Sequence, residues 1–279
     1  MIKLVPRFLR RPAVFLLRLS ERTSRANLGM SAAAVAFFGF LAVFPGLAAI
    51  VTIWGYAADP VVIQQELQLW ADVLPEQAYD LLSTQVESLL SAGRSALGWA
   101  SFLSTALALW SVRSGVAALI SGINGVHHWP ERHGLRHLVV ALVLTLALVT
   151  LALAALLAAV AVPIVLKLVP LGTTETMVLE GANTVLALGL VTLGVGLAYR
   201  YGPNWPKGHR VRLLTPGLAV ALTLWALVSR GFVIYLANFN SYNQIYGSIG
   251  AVAVLLIWLY LSSYALLLGA AVDAELGRS

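Results

Sequence analysis

Long apolar runs without charge constrain this chain more than any other feature of its sequence. The runs 138–166 and 248–272 contain no charged residue, and each exceeds the ~20 helical residues that cross a ~30 Å hydrocarbon layer. Four similar runs bring the predicted spans to about 32–56, 96–119, 138–166, 182–200, 213–236 and 248–272. Because the runs are continuously apolar and do not alternate, they are not the strands of a closed barrel. The sequence therefore predicts an all-α polytopic membrane protein with six transmembrane helices.

The composition agrees with a membrane protein. Of the 279 residues, 59% are hydrophobic and 11% are charged, whereas about a quarter of the residues of a soluble domain are charged. The chain has no cysteine, which excludes disulfides, thiolate metal sites and thiol nucleophiles. The basic N-terminus precedes an uncharged run over 26–58. That run is too long for a cleavable signal peptide, whose apolar core has ~7–15 residues.

The basic residues predict the orientation of the spans. All but three of the 18 Lys and Arg residues fall on one side; the exceptions are Arg94, Lys167 and Arg230. The segment between the first two spans is acidic instead. Since Lys and Arg are enriched in cytoplasmic loops, both termini are predicted to be cytoplasmic.

Two segments outside the spans have the spacing of amphipathic helices. Residues 1–28 form a basic cytoplasmic segment in which Arg7, Arg11, Arg18, Arg22 and Arg25 share one helical face. This pattern predicts a helix on the anionic inner leaflet, with an interruption at Pro12, or an ordinary topology signal. The six-helix domain, 29–276, contains an insertion at 60–92 on the outer face. Pro75 is predicted to split that insertion into two short helices.

Metal and catalytic motifs are weak. His133 and His137 are spaced i, i+4, which can bind a metal on a helix, but Pro130 and Gly134 interrupt the segment. A basic loop that contacts lipid headgroups is the simpler interpretation. The chain has no GxSxG, HExxH, GxGxxG or phosphate-binding loop. We therefore expect no enzymatic activity, no cofactor and no nucleotidase of the protein's own.

Polar residues and a helix breaker in the spans suggest a substrate path. Pro45 lies midway along the first span, where it frees a carbonyl and bends the helix, and transporters often build sites at broken helices. Charged residues in the membrane need a partner or contact with water. The candidate path residues are Pro45, Arg113, Arg230, Tyr235, Asn238, Asn240, Tyr242, Asn243 and Tyr246.

The last two spans are joined by a stretch that is rich in amides and tyrosines but carries no charge. Residues 238–248, NFNSYNQIYGS, are predicted to be an eleven-residue connection on the outer face. Helix capping and interfacial tyrosines explain part of this composition. The rest suggests a re-entrant lip that lines an opening, because irregular backbone at that depth must be buried or wet.

Several stretches resemble, in order, those of the YihY/BrkB family of bacterial inner-membrane proteins. They are AAAVAFFGFLAVFPGL, ALWSVRSGVAALISGINGVHH, RYGPNWPKGHRVRLLTPGLAVALTLW, FVIYLANFNSYNQIYGS and YGSIGAVAVLLIWLYLSSYALLLGAAVDAEL. The resemblance implies six helices and an inner-membrane location. The family was historically labelled ribonuclease BN. The short cytoplasmic loops argue against that label, because RNA cleavage needs metal ligands or an acid–base pair, and no nucleic-acid partner is expected.

The leading functional hypothesis is a permease-like transporter or exporter of a small solute or lipid. The alternative is a structural or interaction protein of the envelope, which would dock a partner through 60–92. Asp273 and Glu275 are acids at the inner end of the last span, and their expected role is solvation of the helix end. The expected partners are the bilayer, anionic inner-leaflet lipids at the N-terminal helix, and an unidentified substrate. A homo-oligomer is compatible with both hypotheses.

Overall fold

The structure is a computed structural model that describes residues 7–57, 83–84, 94–168, 173–206, 212–237 and 240–277. Seven long helices account for most of these residues, and no strand occurs among them. The helices are α1 (Arg7–Arg25), α2 (Leu28–Ala57), α3 (Arg94–His127), α4 (Leu135–Leu168), α5 (Thr173–Tyr201), α6 (Pro216–Ala237) and α7 (Asn240–Leu276).

Six of these helices, α2 to α7, are long and apolar enough to cross a membrane. Their candidate spans are Leu28–Gly46, Phe102–His127, Leu135–Ala155, Met177–Tyr201, Pro216–Leu236 and Val252–Leu276. The predicted all-α fold with six transmembrane helices is therefore confirmed. The protein is a multi-pass membrane protein. The sidedness of its termini stays a prediction.

Helix α1 is the predicted amphipathic helix, and it joins α2 through a tight turn. It runs unbroken through Pro12 to Arg25, so the predicted interruption at Pro12 is wrong. Asn27 adopts φ 49°, a left-handed conformation that Asn tolerates better than most residues. Its carbonyl accepts hydrogen bonds from the backbone N–H groups of Met30 and Ser31, and α2 therefore begins one residue after the turn.

Two predicted irregularities of the spans are helical in the structure. Helix α2 continues through Pro45 to Ala57, so the first transmembrane helix is not interrupted at that proline. Helix α7 begins at Asn240, eight residues before the predicted start of the sixth span. The predicted irregular lip is therefore wrong over 240–248, and only Asn238 and Phe239 lie between the described ends of α6 and α7.

The packing is strongest at one end of the bundle. Helix α2 packs mainly on α3, α6 on α7 and α4 on α5, while α7 also contacts α1, α2 and α3. The buried core lies where α2 and α6 begin and where α3, α5 and α7 end, and includes Leu28, Ile120, Ile123, Leu218 and Leu267. We call this the α1 end of the bundle, because α1 packs there against α7.

Most of the predicted outer-face insertion, 60–92, lies outside the described residues. Only Ser83 and Thr84 within it are described, and both are helical.

Candidate functional site

Three rings form a cluster where α3 ends. The imidazole of His127 stacks on the indole of Trp129 at 4.2 Å between ring centroids, and Trp205 lies 4.4 Å from Trp129 and 5.4 Å from His127. We call these three residues the aromatic cluster. The backbone places it, because His128 has φ 58° and the Trp129 N–H donates to the Asn124 carbonyl at 3.0 Å. This is a left-handed helix stop of the Schellman type, with His where Gly is usual.

Hydrogen bonds join the loop after α3 to the loop after α5. The side chain of Asn124, which is fully buried, accepts from the Asn204 N–H at 2.8 Å, and the Asn204 amide donates to the Pro130 carbonyl at 3.0 Å. Arg132 donates to the carbonyls of Gly202 and Pro203. Burial lowers the pKa of the Arg132 guanidinium from its ordinary value, but arginine stays protonated in proteins, so both of its bonds persist.

A buried ion pair fixes α1 to the end of α7. Arg22 is 5% exposed and Glu275 is 7% exposed. The Arg22 Nε and Nη2 atoms donate to Glu275 Oε2 at 3.2 and 3.0 Å, and Nη1 donates to the Val126 carbonyl at 2.5 Å. The pair therefore connects α1, α3 and α7. The sequence predicted that Arg22 shares one helical face with Arg18 and Arg25; in the structure Arg22 is buried in the bundle, whereas Arg18 and Arg25 are exposed.

Asp273 holds the start of α6. Its Oδ1 accepts from the Gly217 N–H at 2.6 Å, and its Oδ2 accepts from the Thr215 hydroxyl at 2.5 Å. The same hydroxyl accepts from the Leu218 N–H at 3.1 Å, which makes Thr215 the N-cap, with Pro216 at the first helical position. The carboxylate thus lies at the positive end of the α6 dipole. Its expected role of helix-end solvation is wrong.

Glycines let α6 and α7 meet beside Asp273. A Cβ atom on Gly217 would collide with the Gly269 carbonyl and would lie 2.6 Å from Asp273 Oδ2. A Cβ atom on Gly269 would lie 2.6 Å from the Ala221 Cβ and 2.7 Å from the Tyr199 hydroxyl oxygen. The Tyr199 hydroxyl donates to the Leu266 carbonyl. Three helices therefore converge at this crossing with no room for a side chain.

These features surround a cavity of about 510 Å³ at the α1 end of the bundle. Its charged lining comes from Arg22, Arg212 and Asp273, and its aromatic lining from the aromatic cluster and Tyr199. Apolar side chains complete the wall, among them Ile123, Leu214, Ala270, Ala274 and Leu276. The volume lies in the range of roughly 300–1,000 Å³ that is usual for small-molecule sites.

The predicted substrate path does not converge on this cavity. Arg230 and Tyr235 are exposed on α6, and Pro45 is half-buried in α2. Arg113 is half-buried in α3, with its guanidinium carbon 5.8 Å from the centroid of the Trp110 ring. Its Nε atom is buried without a hydrogen-bond partner among the described residues. Asn238 lies outside the described residues, and the remaining candidates, Asn240, Tyr242, Asn243 and Tyr246, belong to the first turns of α7. The path stays a prediction.

The weak metal candidates do not form a helical pair. His133 lies in the loop that precedes Gly134, whereas α4 begins at Leu135 and contains His137. Gly134 has φ 59°, a turn that separates the two histidines. In the described ranges, no group of three or more His, Cys, Asp or Glu side chains is placed to hold a metal ion.

Sequence reasoning missed most of the cavity's lining. Trp129 and Trp205 are 76 positions apart in the sequence, and their contact depends on the folding of two separate loops. The sequence did contain a feature that predicts positive partners for Asp273 and Glu275. Asp273 and Glu275 lie in the last turn of α7, at the negative end of the helix dipole, where acids are unfavourable unless they have a positive partner.

The fold and the cavity define a multi-pass, all-α membrane protein with an internal site at one end of its bundle. A family model described as "Virulence factor BrkB" matches residues 19–279. The chain therefore belongs to the BrkB family. The YihY/BrkB resemblance is thereby confirmed.

Curated relatives agree with this assignment. YfkH of Bacillus subtilis (strain 168), a ribonuclease-like protein by its name, is 30% identical over 270 residues, which cover 93% of this chain and 95% of YfkH. A UPF0761 membrane protein of Aeromonas salmonicida (strain A449) is 45% identical over 84 residues, 29% of this chain and 28% of that relative. One of Xanthomonas oryzae pv. oryzae (strain PXO99A) is 37% identical over 107 residues, 37% of this chain and 24% of that relative. The chain thus matches about a quarter of the two UPF0761 relatives' length. No solved structure matches it.

Proposed function

We propose that this chain is a permease-like protein of the bacterial inner membrane, which moves a small solute or a lipid and has no nucleotidase of its own. The observation that carries the proposal is the cavity at the α1 end, which combines charged, aromatic and apolar walls inside a six-helix bundle. Such a mixed lining is typical of ligand sites, where a few polar groups orient a mostly apolar contact.

The charge distribution supports a cytoplasmic position for this cavity. The basic helix α1, Arg132 and Arg136 beside α4, and Arg200 and Arg212 around the loop after α5 all belong to the α1 end. Lys and Arg accumulate on the cytoplasmic side of membrane proteins. The cavity is then an inner vestibule, and the candidate path residues Arg230 and Tyr235 lie further along α6, towards the outer face.

The hydrogen bonds of the lining favour transport over catalysis. Asp273 already accepts bonds from Thr215 and Gly217, and Arg22 is committed to Glu275 and Val126. The His127 Nδ1 atom lies 2.9 Å from the Ile123 carbonyl. General acid–base catalysis needs such groups within reach of a substrate proton. These groups instead hold the walls of the cavity together, and the ribonuclease-like name is that of YfkH.

Reconstituted flux tests the proposal. Leu214 lines the cavity and is largely exposed, so a Leu214→Trp substitution can fill the space without disturbing the core. We expect wild-type proteoliposomes to move labelled phospholipids or compatible solutes faster than empty liposomes, and Leu214→Trp to abolish the excess. Leu135→Trp is the matched control, since Leu135 is exposed outside the cavity. Equal rates in wild-type and empty liposomes for both substrate classes would refute transport.

A second candidate, an envelope interaction protein, is favoured by the amphipathic spacing of 60–92. Leu82, Val86, Leu89 and Leu90 share a helical face opposite acidic residues. Deletion of 60–92 separates the two functions. Retained flux with loss of a cellular phenotype would indicate docking, and loss of flux in a folded variant would indicate that the segment belongs to the transport machinery.

A further inference from the structure

The cavity at the α1 end lies at the depth of a membrane interface. Its walls come from the last turns of α3, α5 and α7 and from the start of α6, with Ile123, Tyr199, Leu214 and Ala274 at these four positions. Ile123, Tyr199 and Ala274 lie in the last residues of candidate spans that end at His127, Tyr201 and Leu276, and Leu214 lies just before the span that begins at Pro216. A ligand in the cavity is therefore at the level where phospholipid headgroups meet their acyl chains.

The charges of the lining leave one cation uncompensated. Arg22 is paired with Glu275, and both carboxylate oxygens of Asp273 accept hydrogen bonds at the start of α6, where the helix dipole is positive. Arg212 is exposed and forms no ion pair with the part of the chain that the structure describes. A guanidinium is suited to phosphate because it can donate two parallel hydrogen bonds. The lining thus favours an anion at the Arg212 side.

The aromatic and aliphatic part of the lining favours an apolar group. The Trp205 indole N–H donates to the Arg200 carbonyl at 3.0 Å, which fixes the ring, and Trp129 packs on it. Leu214 and Leu276 face the same cavity. Indoles prefer the interface, where one edge meets polar groups and the ring meets hydrocarbon. A ligand that complements both Arg212 and the aromatic and aliphatic side chains is an amphiphile with an anionic head.

We propose that this cavity binds the phosphate group of an inner-leaflet anionic phospholipid, with Arg212 on the phosphate and the aromatic cluster on the adjoining apolar part. The proposal rests on the cytoplasmic vestibule of the proposed function and names its ligand class. Helix α1 supports a lipid source, because Arg18 and Arg25 are exposed beside the cavity wall that Arg22 forms and exposed Leu16 and Leu17 suit the bilayer surface. A cavity of about 510 Å³ suits a headgroup and the first carbons of its chains.

Native mass spectrometry of the full chain in detergent tests the proposal without requiring transport. The probes are dioleoylphosphatidylglycerol, dioleoylglycerol, glycerol phosphate and inorganic phosphate. We expect retention of phosphatidylglycerol alone, and a loss of about tenfold or more in Arg212→Gln, because a charged hydrogen-bond partner is removed. Arg136→Gln is the matched control, since Arg136 is exposed at the start of α4, outside the cavity. Leu214→Trp should also reduce retention although it leaves every charge in place.

The other outcomes overturn the proposal. Equal retention in Arg212→Gln and Arg136→Gln would exclude a phosphate site at Arg212. Retention of dioleoylglycerol at the level of phosphatidylglycerol would exclude recognition of the phosphate. Binding of glycerol phosphate or inorganic phosphate as tight as that of the lipid would assign the site to a free phosphate ester or ion. Specific lipid binding in a protein without flux would refute transport and leave the lipid site standing.

Discussion

Two glycines determine how closely α6 approaches α7. Gly217 and Gly269 face each other, and a Cβ atom on either would collide with the backbone carbonyl of the other. The close contact brings the start of α6 onto the Asp273 carboxylate, which accepts the Gly217 N–H. A side chain here must push the two helices apart, and the Asp273 cap would then open.

We expect Gly269→Ala to destabilise the fold by about 1–3 kcal/mol, the usual range for overpacking. The measurement is the thermal unfolding midpoint of the purified protein in detergent. Gly231→Ala is the control on α6, because no atom of the described residues outside its own stretch of helix lies within 4 Å of the added Cβ. Its midpoint should equal or slightly exceed the wild-type value, since alanine favours helix over glycine. An equal decrease in both variants would contradict the close-contact account.

The contacts of the charged residues Arg22 and Glu275 could not be predicted from the sequence. The spacing of the arginines in α1 correctly predicted a helix, but it gave no reason to separate Arg22 from Arg18 and Arg25 on their shared face. Arg22 is buried because Glu275 and the Val126 carbonyl are placed to receive it. Its partner Glu275 is 253 positions away. The spacing of residues within one helix cannot predict a contact between residues that are so far apart in the sequence.

At the scale of elements, α1 is part of the bundle and is held by the Arg22–Glu275 pair. Breaking a buried pair leaves one charge without compensation, at a cost of about 3–5 kcal/mol. We expect Glu275→Gln to release α1 and to lower the unfolding midpoint strongly. Protease cleavage within α1, followed by mass spectrometry, would report the release directly.

The exposed pair within α1 provides the control. Arg25 and Glu21 are joined at 3.4 Å with both side chains largely exposed, and such pairs contribute about 0.5 kcal/mol or less. Glu21→Gln should therefore leave both the midpoint and the cleavage pattern unchanged. If Glu275→Gln behaved like Glu21→Gln, α1 would not be fixed by the ion pair.

The helices were predicted well in number and less well in their ends. Apolar runs in the sequence locate the part of each helix that lies in the hydrocarbon layer, and the structure has a candidate span at each of the six predicted runs. The helices continue beyond the runs wherever polar residues can remain helical, as in α3, which extends from the predicted end near 119 to His127. Helix α7 begins at Asn240, within the stretch that was expected to be a connection. The amide-rich connection was therefore mistaken for irregular backbone.

At the scale of the whole molecule, the cavity lies at the opposite end from the predicted opening. The opening was predicted on the outer face because Arg230 and the amide-rich connection are unusual for a membrane span and its loop. The lining of the cavity includes Arg212, Trp129 and Trp205, which only the fold brings together. Membrane class, helix number and family could be predicted from the sequence. The site could not, because its parts come from α1, from two loops and from the ends of four helices.

The central claim is that this cavity opens to the cytoplasm. The chain has no cysteine, so a single introduced thiol can be labelled without background. Leu214→Cys places a thiol in the cavity lining, and Ser95→Cys places one in the first turn of α3, at the far end of that helix from His127. With a membrane-impermeant maleimide, we predict that Leu214→Cys reacts in inside-out vesicles only, and Ser95→Cys in right-side-out vesicles only. Labelling of Leu214→Cys from the outer side, or in neither orientation, would contradict the account.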